Sequence, residues 1–185
     1  MKKIFSLVLV LALVSIITVA GTATASAGGK HKDQINLTAE LIVIGIEGVE
    51  TDEKGWTTIA AETLAPLAPI EAEGWASLDG LYLSAVQSSR EKFSEPLPFG
   101  VAEKGKSTGT FYMSTTPGGD VRVVGEYNLK LSHSDACQIL GQGKWKAVDG
   151  IIDGKGKITT CTNFVPAFGT FVSTVTVTGK AALLD

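Results

Sequence analysis

Histidine, cysteine and methionine are nearly missing from this 185-residue chain, which has two of each. His31 and His133 have no second ligand at metal-binding spacing, so no catalytic zinc site and no metal or other cofactor is expected. No cysteine precedes Cys137, which excludes lipid attachment near an exported N-terminus. Basic blocks are missing too, apart from the short Lys30-His31-Lys32. Nucleic acid and anionic membrane surfaces, which call for clustered Lys and Arg, are therefore not expected partners. The chain beyond residue 27 has no long stretch with helical apolar periodicity, which argues against a βαβ architecture. A repeat of fixed period and low-complexity segments are also lacking.

What is there begins with a leader. Met1-Lys2-Lys3 is followed by an uncharged run from Ile4 to Ala20, then by Ala23-Thr24-Ala25-Ser26-Ala27 with two overlapping small-x-small sites. A positive start, an apolar middle and an A-x-A exit predict a cleaved secretory signal over 1–27, the alternative being an uncleaved membrane anchor. The remainder, 28–185, is long enough for one domain with its own core. Removing Lys2 and Lys3 from the 16 basic residues leaves 14 against 19 acidic ones, a mature net charge of −5. The expected location is secreted or periplasmic, with no stable membrane insertion after cleavage. In such an oxidising compartment Cys137 and Cys161 are expected to form one disulfide across neighbouring strands, the alternative being two separate buried thiols.

The mature chain reads as short strands punctuated by Gly, Pro, Asn and Asp. From Val121 to Leu131 the odd positions (Val121, Val123, Gly125, Tyr127, Leu129, Leu131) are apolar, while Arg122, Glu126, Asn128 and Lys130 alternate with them. Period two predicts a strand with its odd side chains inside. Gly109 to Thr116 is a second strand, joined to the first by the turn Pro117-Gly118-Gly119-Asp120. Gln138–Ala147 and Ile151–Thr162 are read as a hairpin turning at Val148-Asp149-Gly150. A last strand over 168–184 alternates, with Phe171, Val175 and Val177 on one face. Ile35 to Glu47 is apolar on both faces near Ile42–Ile46, which suits a strand covered on both sides. Trp56–Leu64 is a further strand that Pro66 and Pro69 end. Trp75–Gln87 reads as a hairpin around Asp79-Gly80, and Ser88–Phe93 as a short helical turn. Short antiparallel strands of this kind predict an all-β fold, a single barrel of about eight strands whose closure removes exposed edges.

Several motifs fail on context. Gly100 to Ser107 spells the phosphate-loop pattern G-x-x-x-x-G-K-S but leads into a strand rather than a helix, so nucleotide binding is not expected. Gly141-Gln142-Gly143 lacks the third glycine of a dinucleotide fingerprint. His133 lies beside Ser132, Ser134 and Asp135, but neighbours on one loop rarely reach triad geometry, and a polar turn is the simpler reading. Trp56, Trp75 and Trp145, with Tyr112 and Tyr127, are the rings an apolar ligand pocket would use, and otherwise serve as core. Glu40 and Glu47 lie on the apolar first strand, either at its wet end or buried with a raised pKa.

The stretch Gly109-Thr-Phe-Tyr-Met113, the turn Pro117–Asp120, Val121-Arg-Val-Val-Gly-Glu-Tyr127 and Ile139-Leu-Gly-Gln-Gly-Lys-Trp-Lys-Ala-Val-Asp-Gly150 resemble the central hairpins of the allene oxide cyclase and dirigent barrel superfamily. The resemblance runs from Gly109 to Leu184. It implies an eight-stranded antiparallel barrel around a small apolar ligand or reactive intermediate. The cyclase glutamate late in strand one falls around Gly45, with Glu47 two residues on and on the same face; Glu47 also stands nearest the dirigent acid. Three readings follow: an exported barrel that binds a small hydrophobic molecule, a cyclase or dirigent-type enzyme using Glu47, or a structural or interaction barrel with a filled core.

Overall fold

Strand periodicity extends further through the chain than the alternating segments alone suggest. The computed structural model describes residues 36–73, 76–96, 99–152, 154–167 and 170–183, with side chains between 37 and 164. The leader, Trp75, and the side chains of Phe171, Val175 and Val177 lie outside the described residues. Every regular element among the described residues is a strand: β1 Asn36–Ile46, β2 Val49–Thr51, β3 Trp56–Pro66, β4 Glu71–Glu73, β5 Tyr82–Phe93, β6 Ala102–Ser114, β7 Val121–Ser134, β8 Cys137–Gly150, β9 Gly154–Ala167 and β10 Thr170–Leu183.

All pairings are antiparallel, and they run β3-β5-β6-β7-β8-β9-β10-β1. β1 then pairs with β3 through Leu41↔Pro66, Ile42↔Ala65 and Val43↔Leu64, so the eight long strands form a ring of pairings. The two three-residue strands are additions, β2 beside β3 and β4 beside the start of β1. The fold is the all-β, eight-stranded antiparallel architecture expected from the alternation.

Alternation decides the inside. In β7 Val123, Gly125, Tyr127, Leu129 and Leu131 are buried, while Arg122, Glu126, Asn128 and Lys130 are exposed; only Val121, at the turn, departs. The interior of a narrow barrel holds large side chains on one strand where the next strand offers small ones. Phe111 lies opposite Gly125 and Tyr127 opposite Gly109. A Cβ on Gly125 would stand 2.1 Å from the Phe111 ring, and one on Gly109 would stand 2.5 Å from the Tyr127 oxygen. These two glycines are therefore required by the rings that lie across them. Trp145 meets Phe111 edge to face at 5.9 Å. The segment between β3 and β5 adds Ile70 and Leu78, each 1% exposed, to the same apolar cluster as Leu41, Leu83, Met113 and Val123. Ile70 N–H donates to the Leu81 carbonyl at 2.6 Å and Ala72 N–H to the Asp79 carboxylate at 3.1 Å, which holds that segment in place.

Several local expectations are corrected. Ser88–Phe93 is the second half of strand β5, not a helical turn. The Asp79-Gly80 turn does not join a hairpin, because β4 pairs with β1 while β5 pairs with β3 and β6. β1 is not covered on both faces: Ile44 and Ile46 are 61% and 54% exposed. The β8–β9 turn comes later than Val148–Gly150, since Lys146 pairs with Lys155 and β8 continues to Gly150. The Pro117–Asp120 turn is in place, with Gly119 N–H donating to Thr116 O at 2.9 Å. Gly100–Ser107 runs into β6, a strand, so the phosphate-loop pattern lacks its helix.

Cys137 and Cys161 form a disulfide between the neighbouring strands β8 and β9, their Cα atoms 5.2 Å apart. The two are not directly opposed, because the register sets Cys161 against Leu140. The chain entering β8 turns toward β9 instead, with Gln138 N–H donating to the Asn163 side chain at 3.0 Å and Asn163 Nδ2 donating to Ala136 O at 3.1 Å.

Candidate binding site in the barrel interior

Strand β5 supplies the chemistry. Its inward positions start apolar, with buried Leu83 and Ala85, and continue polar, with Gln87, Ser89 and Glu91. The cross-strand rows fix their surroundings: Gln87 lies opposite Gly109, Ser89 opposite Ser107 and Glu91 opposite Gly105. Those β6 residues in turn face Tyr127, Leu129 and Leu131 of β7. The interior therefore has an apolar part, closed over by Ile70 and Leu78, and a polar stripe on the wall formed by β3, β5 and β6.

Within that stripe Gln87 is a hub. Its Nε2 donates to Glu62 Oε2 at 2.5 Å, and its Oε1 accepts from Tyr127 OH at 3.0 Å and Ser107 Oγ at 3.3 Å. Glu62 points inward because the register of β3 against β5 shifts between Ile59 and Glu62. Burial raises the Glu62 carboxyl above its ordinary range, partly offset by the Gln87 hydrogen bond. Burial, together with the nearby Glu62 charge, raises the Tyr127 phenol, which stays protonated and donating.

Glu91 is the group that stands out. It is 3% exposed, and Ser89 Oγ donates to its Oε1. Its Oε2 is buried with no hydrogen-bond partner among the described residues. Burial pushes its carboxyl up to about 7, the Ser89 hydrogen bond pulls the other way, and the Glu62 charge adds to the rise. A buried acceptor left unpaired costs on the order of 1–3 kcal/mol, and more when charged. Such a group is uncommon enough in a folded domain to need an explanation.

The residues singled out from sequence distribute differently. Glu47 lies beyond the last residue of β1 and is exposed, its backbone N–H donating to Ala61 O at 2.8 Å; Glu40 is exposed as well. Neither is the interior acid. Tyr127 and Trp145 do lie inside, opposite one another in the β7–β8 register. Trp56 is outside, with the Arg90 guanidinium 5.2 Å and the Lys104 ammonium 5.4 Å from its ring centre. Tyr112 occupies the face of β6 opposite buried Phe111 and Met113, so it is not a pocket ring either. The His133 ring nitrogen Nδ1 lies 3.3 Å from the Ala102 carbonyl, and among the described residues it meets neither Ser132, Ser134 nor Asp135. Sequence reasoning missed Glu62, Gln87, Ser89 and Glu91. The available signal was that all three β5 residues share the parity of Leu83 and Ala85, which shows only once the segment is known to be a strand.

Comparison with protein-family models, with curated proteins and with solved structures finds no match to this chain.

Proposed function

We propose that the protein is an exported β-barrel that binds a small, mainly apolar molecule in its interior, with one hydroxyl or amine of the ligand donating to Glu91. The unpartnered Glu91 oxygen carries this reading. An apolar ligand body suits Leu129, Leu131 and the aromatic pair Phe111 and Trp145, and a single donor suits the single unsatisfied acceptor. The disulfide supports export, since such bonds persist in oxidising compartments outside the cytoplasm.

A second reading is favoured by the same residue. A carboxyl held at about 7 is matched to proton transfer near neutral pH, so a cyclase or dirigent-type enzyme of this kind would act through Glu91 rather than Glu47. The test uses the purified chain and an uncharged fluorescent probe, N-phenyl-1-naphthylamine, together with a series of apolar alcohols as competitors. The expected result is saturable probe binding, displaced by alcohols better than by the matching hydrocarbons, with Glu91→Leu erasing that preference while keeping probe binding. Absence of saturable binding would leave the filled, structural barrel as the reading. Turnover of a bound ligand, lost in Glu91→Gln with binding retained, would establish the enzyme.

A further inference from the structure

The outer wall of β5 to β9 gathers cations that are scattered in the sequence. Arg90 lies directly opposite Lys106, and Lys106 opposite Lys130. In the neighbouring rows Lys144 lies opposite Lys157 and Lys146 opposite Lys155. All seven are exposed. Like charges placed directly across an antiparallel pair repel, so this arrangement costs stability that a mixed surface would not. Carboxylates do not relieve it. Glu126 engages Lys146 at 3.0 Å, Arg90 reaches Asp52 at 3.0 Å, and among the described residues Lys106, Lys130, Lys144, Lys155 and Lys157 have no ion pair. The acids lie elsewhere: from Glu40 to Asp79, across β1 to β4, the only cation is Lys54. In the ring of pairings β7 is the strand most distant from β1, so a chain of net charge −3 is divided into an acidic side and a basic side.

We propose that this basic wall binds a flexible linear polyanion, a polymer with phosphate or carboxylate groups along its length. Spacing and shape point to that partner. Cross-strand neighbours recur at roughly 5 Å and same-face residues along a strand at roughly 7 Å, a grid that a chain of closely spaced anions can follow. The wall is convex, because it is the outside of a curled sheet. A flexible polymer wraps a convex surface and reaches several rows, whereas a flat bilayer or a stiff duplex touches few lysines at once. This face is separate from the interior site and does not depend on it.

The experiment titrates the full-length purified protein with inorganic polyphosphate and, in a second arm, with polygalacturonate, across a range of salt concentrations. Polymer binding should weaken with salt at a log–log slope of about 0.7 per lysine–anion contact. The quadruple variant Lys106→Gln, Lys130→Gln, Lys144→Gln, Lys157→Gln should bind at least tenfold more weakly and lose about three from that slope. Its thermal midpoint should be unchanged or raised, because the substitutions remove repulsion, and Lys54→Gln should bind like the original chain. The two polymer arms tell a phosphate partner from a carboxylate one. The proposal is overturned if neither polymer binds, if Lys54→Gln weakens binding as much as the quadruple variant, or if vesicles with anionic lipid or duplex DNA bind while the soluble polymers do not.

Discussion

Protonation of Glu91 should set how the stability of this barrel depends on pH. In the unfolded chain its carboxyl has the ordinary value of 4.5, and in the folded barrel it is pushed up to about 7. Below the lower value both states carry the proton and burial exacts no ionic penalty. As pH rises through the window, the unfolded chain has released its proton while the folded one still holds it, so folding loses stability. Above the upper value both are ionised and the full penalty persists. At about 1.4 kcal/mol per pH unit, the penalty amounts to about 3 kcal/mol. At 3% exposure solvent screens little of it. Glu62 is raised in the same direction by its own burial, but it is common to the original chain and to a Glu91 variant, as is the exposed His133. The assay is urea unfolding of the original chain and of Glu91→Gln, followed by tryptophan fluorescence, from about pH 4.5 to about pH 8. With a slope near 2 kcal/mol per molar urea, the midpoint of the original chain should fall by about 1.5 M relative to the variant across that range. The variant should gain on the original chain as pH rises. Parallel curves for the two proteins would refute the reasoning, since they would mean that the carboxyl ionises as readily in the barrel as in the unfolded chain.

Gly125→Ala should destabilise the barrel by about 1–3 kcal/mol, because its Cβ would collide with the Phe111 ring, and thermal denaturation should show a midpoint several degrees lower. Phe111→Leu in the same chain should recover part of that loss, as a double-mutant cycle on touching residues would read. Replacing both Cys137 and Cys161 by Ala should cost about 3 kcal/mol, measured by denaturant unfolding and matched by reduction of the original protein. Intact-mass measurement of exported material should show a chain starting between Ala25 and Gly29, and retention of Met1–Ala20 with membrane pelleting would defeat the expected cleavage.

The sequence by itself determined the class of fold wherever neighbouring residues contrast in polarity. Val121–Leu131 alternates because one side of β7 is wet and the other dry, and that contrast is local enough to read directly. The turn Pro117–Asp120 and the cysteine pair are similarly written in residue types whose chemistry leaves few alternatives. Only the tertiary structure decided the rest. Tyr82–Phe93 hid its strand because its inward residues Gln87, Ser89 and Glu91 are as polar as its outward ones, so the period-two signal vanishes halfway along. Glu91 and Glu62 look like any surface carboxylates until the register of β3, β5 and β6 encloses them. Glu47, apparently the better candidate on an apolar strand, falls just past the strand's end and into solvent. The lysines of β6 to β9 form no block in the chain, since residues adjacent across strands are tens of positions apart along it, and only closure of the sheet brings their charges together. Local contrast is a property of the sequence; enclosure and charge accumulation depend on strand pairing, a long-range property that a single sequence leaves unspecified.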